Sequence, residues 1–281
     1  LKNYTTFKIG GKARYFLEAS NKEEVIEAIK WAKQKNMPFF VLGGGSNMLI
    51  DDKKYKGVVI KIQSSKFKVQ SDIVEVDAGL ALGKLVGVAL QEGLAGMEWA
   101  MGIPGTVGGA VYGNAGAFNQ SIGDVVEIVE VLDSTNCKIS TINCFKKECG
   151  FGCRDSIFKN NKNLIILSVK IKLRKGKKAE IENKMKEYFQ KKKQTQPLEF
   201  FSAGSIFKNP ENFSAGELIE KAGLKGRRIG GAEISNKHAN FIVSNGRAKA
   251  KDVKKMIDLI KKEVEKKFNI ILEEENQFFG F

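Results

Sequence analysis

The chain has 281 residues, 42% hydrophobic and 28% charged, which supports packed cores, exceeds the usual length of one domain and excludes a disordered chain. Lys and Arg number 47 against 32 Asp and Glu, a formal charge of +15; the lysines fall in scattered runs such as Lys191-Lys192-Lys193 and Lys254-Lys255, without interleaved aromatics. That pattern fits a solvated basic surface with affinity for small anions better than a nucleic-acid interface, and no apolar run is long enough to span a bilayer.

No apolar signal stretch opens the chain, although it begins at Leu1 rather than Met, which leaves a preceding segment open. Cys137, Cys144, Cys149 and Cys153 form no CxxC pair, and His238 lies far from them. Reduced thiols in a cytoplasm, and no metal site, are therefore expected.

Ser20-Asn21-Lys22-Glu23 reads as a capping box opening a helix with Val25, Ile26, Ile29 and Ala32 on one face. Residues 39–42 read as a buried strand running into Gly43-Gly44-Gly45-Ser46-Asn47. Strands are expected over 58–62 and 73–76, and a short helix over 82–91 closed by Gly93. Residues 125–131 read as a strand, Asp133-Ser134-Thr135-Asn136 as a turn, and 164–173 as a long strand. The basic run at 174–178 suggests a domain boundary. Beyond it come a lysine-rich helix over 179–193, a capping box at 214–217, a helix through Val253, Met256, Ile257, Ile260 and Val264, and a last strand over 270–275. Helices and strands mix without strict alternation, which predicts an α+β fold.

Nine of the 29 glycines fall in residues 43–45 and 102–116. Glycine lets backbone amides approach a ligand and take positive φ, and successive amides form anion-binding concavities. The first cluster alone is equally a phosphate loop or a tight surface turn, and it matches neither GxGxxG nor the Walker pattern. The second is free of charge from Gly102 to Gln120, which suits a backbone wrapped around a large planar cofactor.

Those two stretches, with Thr5-Thr6-Phe7-Lys8-Ile9-Gly10-Gly11, Cys153-Arg154-Asp155-Ser156, Ala203-Gly204-Ser205-Ile206-Phe207-Lys208-Asn209-Pro210 and His238-Ala239-Asn240-Phe241, resemble the UDP-N-acetylenolpyruvoylglucosamine reductase family. The short spacing after Pro197 resembles the family's second type, which lacks a tyrosine-bearing loop. The resemblance implies a FAD-binding domain of the vanillyl-alcohol oxidase (PCMH) type over 1–175 and a smaller α/β substrate-binding domain over 176–281. It implies FAD, NADPH as hydride donor and a UDP-sugar substrate carrying an enolpyruvyl group, in peptidoglycan precursor synthesis, with no obligate protein partner. With His238 outside the FAD region, the flavin is expected to be noncovalent.

The residues the resemblance gives to the cofactor are Gly43, Gly44, Gly45, Ser46, Asn47, Gly102, Ile103, Pro104, Gly105, Thr106, Gly108, Gly109, Asn114 and Gly116. Arg154 would hold the substrate carboxylate, Ser205 donate the proton, and Glu275 pair with Arg154 or polarise the enolate. Lys208, Asn209 and Arg228 would contact the substrate. By residue type alone a salt bridge with Asp155 is the better reading of Arg154 and a turn that of Ser205, and a solvated strand end competes for Glu275. The chain departs from the family's pattern at Cys153, where tyrosine is usual, and at Asn276-Gln277 after the glutamate. Two other classes compete: a flavin oxidase of the same superfamily, and a colourless nucleic-acid binder suggested by the charge.

Overall fold

Apolar alternation along 126–133 and 164–172 produces the centre of the largest sheet. In the computed structural model, which describes residues 1–135 and 140–281, Val126–Asp133 lies between Ser140–Phe145 and Leu164–Lys172. The order continues through Ile73–Asp77 to Phe67–Gln70, and every pairing is antiparallel. Asn136 of the expected turn and the thiol of Cys137 lie outside the described residues. A second sheet sets Tyr55–Ile62 between Ala13–Ala19 and Phe39–Leu42, the last pair parallel. The fold is α+β.

The chain divides into two compact units. The larger comprises Arg14–Gly44 and Lys56–Gln190; the smaller comprises Leu1–Ala13, Gly45–Tyr55 and Lys191–Phe281. This replaces the expected division after residue 175. Arg174–Lys175 pairs with Leu94–Ala95, and Ile181, Met185 and Tyr188 of the Lys178–Thr195 helix bury in the larger unit's core around Trp99. The basic run marks the solvent side of a packed element and not a linker. At the other end of the chain, Phe7, Ile9 and Leu49 bury among Phe207, Ile219, Met256 and Leu272, in the smaller unit.

The smaller unit carries the antiparallel sheet Arg228–Ile229, Ala232–Ile234, Ile242–Ser244, backed by Ala250–Phe268. That helix buries Val253, Met256, Ile257, Ile260 and Val264, the stripe its spacing predicts, and ends at Asn269 in the left-handed conformation. Two local expectations are corrected. The first helix, Lys22–Gln34, is capped by Asn21, whose side chain accepts from Glu24 N while Glu24 returns a bond to Ser20 N. The N-cap is therefore Asn21, one residue beyond the expected Ser20, and the glutamate's return bond reaches the residue before the cap. Residues 270–275 form no ladder: Phe207 bridges Glu274, and the strand follows at Gln277–Phe279, parallel to Met48–Ile50.

Candidate functional site

In the larger unit the end of Phe39–Leu42 delivers Gly43 and Gly44 against the second glycine loop. A Cβ on Gly44 would lie 2.5 Å from Gly105 Cα, and one on Gly43 2.6 Å from Thr106 Oγ1, so only glycine lets these backbones meet. The second loop is fastened behind: Leu82 N donates to Gly105 O, Val107 N to Leu80 O and Gly108 N to Ala78 O, all within 3.0 Å. Gly108 is thus a packing glycine, with its Cβ position 2.7 Å from Ala78 Cβ. Thr106 caps the Val107–Tyr112 helix by accepting from Gly109 N. Gly102 and Pro104 are exposed, and Ile103 packs partly against the core.

Arg154 comes to this same loop. It sits at the tip of a tight turn closed by Gly152 and Asp155, with φ of 56°, and its Nη2 donates to Gly116 O at 2.8 Å. Asp155 accepts from Asn160, and Lys159 Nζ donates to the Arg154 carbonyl. Asn114 is buried; its Nδ2 donates to Gly152 O at 2.7 Å and its Oδ1 accepts from Gly123 N at 3.0 Å.

In the smaller unit, Asn47, Ser205 and Glu275 are brought together by Asn276. Asn276 Nδ2 faces Asn47 Oδ1 at 2.5 Å, Ala203 O at 2.9 Å and Ser205 O at 3.2 Å. Asn47 Nδ2 donates to Glu275 O, and Glu275 N to Ile206 O. Ser205 follows Gly204, whose φ of 77° sets the bend, and bridges Phe241. Gly45 packs here as well: its φ is 60°, and a Cβ would strike Tyr4 O. Ser46 accepts from Thr6 Oγ1 through its carbonyl. Three expected substrate contacts are engaged with protein groups. Lys208 pairs with Glu273 at 2.6 Å, Asn209 Oδ1 accepts from Ala215 N at the start of Ala215–Lys221, and exposed Arg228 pairs with its cross-strand neighbour Glu233 at 2.7 Å.

Comparison with known proteins adds a family to this geometry. Residues 13–142 match the family model described as "FAD binding domain", and residues 196–279 match "UDP-N-acetylenolpyruvoylglucosamine reductase, C-terminal domain". A UDP-N-acetylenolpyruvoylglucosamine reductase of Caldicellulosiruptor bescii is 44% identical over all of this chain and 89% of its own length. The chain belongs to the UDP-N-acetylenolpyruvoylglucosamine reductase family. The Prochlorococcus marinus member is also 44% identical, over 95% of its length. The crystal structure of the Thermus caldophilus reductase superposes with a TM-score of 0.84 at 37% identity, covering 100% of this chain and 97% of that one.

The glycine loops fit the flavin that a reductase of this family with a FAD-binding domain implies. Their donors are neutral amides and hydroxyls, with no carboxylate in the 102–120 stretch to repel a diphosphate. Gly109 is the telling position. It is exposed, and a Cβ there would meet only Thr106 Oγ1, at 3.4 Å, so packing does not demand glycine; an approaching ligand would.

Two residues escaped the sequence reading. Lys61 Nζ donates to Gly43 O at 3.2 Å, placing an ammonium beside the first loop, and burial lowers its pKa against an opposing pull from Glu18. Its signal was a lone lysine within the apolar run Val58-Val59-Ile60-Lys61-Ile62. Asn276 was visible as a departure from the family's pattern, with nothing in the sequence to show what it binds.

Proposed function

We infer that this chain reduces UDP-N-acetylglucosamine enolpyruvate to UDP-N-acetylmuramate with NADPH, an oxidoreductase step in peptidoglycan precursor synthesis. The observation that carries this reading is 44% identity to a named reductase along the whole chain. FAD, when bound, supplies the hydride carrier between NADPH and the enolpyruvyl double bond. Residues 43–47, 102–109 and Gly116 would hold it by backbone amides, Thr106, Ser46 and Asn47. The flavin is read as noncovalent: His238 lies outside both glycine stretches, and of the described thiols Cys144 and Cys149 are buried while Cys153 is exposed.

Hydride addition at C3 leaves negative charge at C2, next to the substrate carboxylate. Arg154 is suited to hold that carboxylate and spread the charge, because a guanidinium stays protonated and offers a planar fork. Its preset conformation, with Nη2 on Gly116 O, supports the assignment. Ser205 delivers the proton to C2, and Glu275 pairs with Arg154 or polarises the enolate; the chain of bonds from Ser205 O through Asn276 and Asn47 to Glu275 O supports treating them as one group. Lys208, Asn209 and Arg228 orient the UDP-sugar. Their ion pairs are exposed and would exchange readily for phosphate or hydroxyl partners.

Among the described residues no helix is long and apolar enough to cross a membrane, and no cluster of His, Cys, Asp and Glu is arranged for a metal. We assign the enzyme to the cytoplasm, acting without nucleic acid, membrane or an obligate protein partner. The deciding experiment separates the half-reactions anaerobically. Ser205→Ala should bleach with NADPH at the wild-type rate, then reoxidise with the enolpyruvyl substrate at least about a hundredfold more slowly. Wild-type turnover in Ser205→Ala would remove the serine from the mechanism.

A further inference from the structure

Two loops of the larger unit hold their chain in an unusual conformation. Asn114, Phe118 and Asn119 on one, and Arg154 on the other, have φ of 41°, 54°, 57° and 56°, the left-handed region that non-glycine residues seldom occupy. Such backbone persists where surrounding bonds over-determine it, and it concentrates at functional sites. Here the surrounding bonds can be named. Gly152 and Asp155 exchange backbone hydrogen bonds, which closes the turn that has Arg154 at its tip. Asn114 Nδ2 donates to Gly152 O, and Asn114 Oδ1 accepts from Gly123 N, so one buried side chain pins the turn to the glycine-rich stretch. Ser156 Oγ fastens the far side to Tyr112 O at 2.7 Å. Arg154 then reaches back to Gly116 O, two residues beyond Asn114.

We propose that Asn114 is a positioning residue for Arg154 and not a cofactor contact: it holds the 152–155 turn so that the guanidinium is preset before substrate arrives. This rests on Arg154 holding the substrate carboxylate. An arginine has many rotamers, and ordering it on binding costs affinity; a turn that orders it beforehand removes that cost. Asn114 has its side-chain amide turned to backbone on both sides, so its loss would leave the buried Gly123 N without this partner and untie the exposed Gly152 carbonyl, which keeps only its bond from Asp155 N, from the glycine-rich stretch.

The test uses the holoenzyme and two variants. Asn114→Gly tolerates the positive φ and removes the amide; Asn114→Asp keeps an acceptor for Gly123 N and turns an oxygen toward Gly152 O. Both should bind flavin stoichiometrically and accept hydride from NADPH at the wild-type rate. Both should raise KM for the enolpyruvyl substrate, or slow its reduction, by about tenfold to a hundredfold. Combined with Arg154→Ala, neither should cause a further loss, because the group being positioned is gone. Asn114→Lys would not restore function, whereas Asn114→Ser, a small donor, should recover part of it.

Weakened flavin binding with a normal substrate half-reaction would make Asn114 a cofactor contact and overturn the proposal. Equal slowing of both half-reactions would make its role general stability and overturn it too. Arg154→Ala alone reads the underlying assignment. If that variant is impaired while both Asn114 variants are normal, only the positioning role fails. If Arg154→Ala is itself normal, the carboxylate role fails and the positioning role with it.

Discussion

At the scale of single residues, a buried amide with three acceptors is a strong structural commitment. Asn276 is 5% exposed and serves the carbonyls of Ala203 and Ser205 together with Asn47 Oδ1. Asn276→Leu should lower unfolding free energy in urea by about 1–3 kcal/mol, since those acceptors lose a donor inside the protein. Asn276→Asp should cost at least as much, because it turns an oxygen toward the same carbonyls. Arg154, Ser205 and the glycine loops can be singled out as candidates in the sequence because each sits within a contiguous motif. Asn276 is not among them, because its partners lie 229, 73 and 71 residues away and only the fold brings them near. Lys192 is a second such residue. It is 5% exposed, and burial lowers its pKa to about 8. Between about pH 8 and the ordinary lysine range near 10.4 the unfolded chain therefore binds more protons than the folded one, and stability gains from rising pH in that window. The stability difference between wild type and Lys192→Met should move in favour of wild type from pH 7.5 to pH 9.5; a pH-independent difference would contradict the assignment.

Elements were legible in proportion to their length and periodicity. The Ala250–Phe268 and Leu82–Gln91 helices and the Leu164–Lys172 strand follow their apolar spacing closely. Two-residue strands such as Arg174–Lys175 carry no period, and the Glu273-Glu274-Glu275 run was read as strand although its acidic side chains and single bridge leave it merely extended. The glycine loops make the sharpest element-level prediction because their glycines are required for different reasons. Gly44→Ala drives a Cβ into Gly105 and should destabilise the protein by about 1–3 kcal/mol. Gly109→Ala meets no such obstacle and replaces glycine within a helix by the best helix former, so thermal stability should hold or rise. Its FAD dissociation constant should nevertheless increase about tenfold, measured by flavin fluorescence. Equal affinity in Gly109→Ala and wild type would mean that the ligand does not approach there.

For the whole molecule, connectivity was the least legible property. Neither Leu1–Ala13 nor Gly45–Tyr55 is long enough to show a periodicity that assigns it to the C-terminal core, and the basic run at 174–178 pointed to the wrong place. Yet Phe7, Ile9 and Leu49 are 1%, 2% and 1% exposed in that core, and Met48–Ile50 supplies the partner of Gln277–Phe279. A fragment of residues 191–281 should therefore lack a cooperative thermal transition by circular dichroism. A variant in which 1–13 and 45–55 are joined to 191–281 by flexible linkers should recover one.

The smaller unit's division into three stretches also sets the order of events during synthesis. Residues 1–13 leave the ribosome well before residues 191–281, which include the strand that pairs with Met48–Ile50. Throughout elongation Phe7, Ile9 and Leu49 have no completed core to enter, while the larger unit has all its residues once 190 has emerged. Residues 1–13 must therefore wait, with apolar side chains uncovered, for partners that lie in residues 191–281. That interval, rather than the folded state, is when this protein is most exposed to aggregation and most dependent on whatever shields nascent chains.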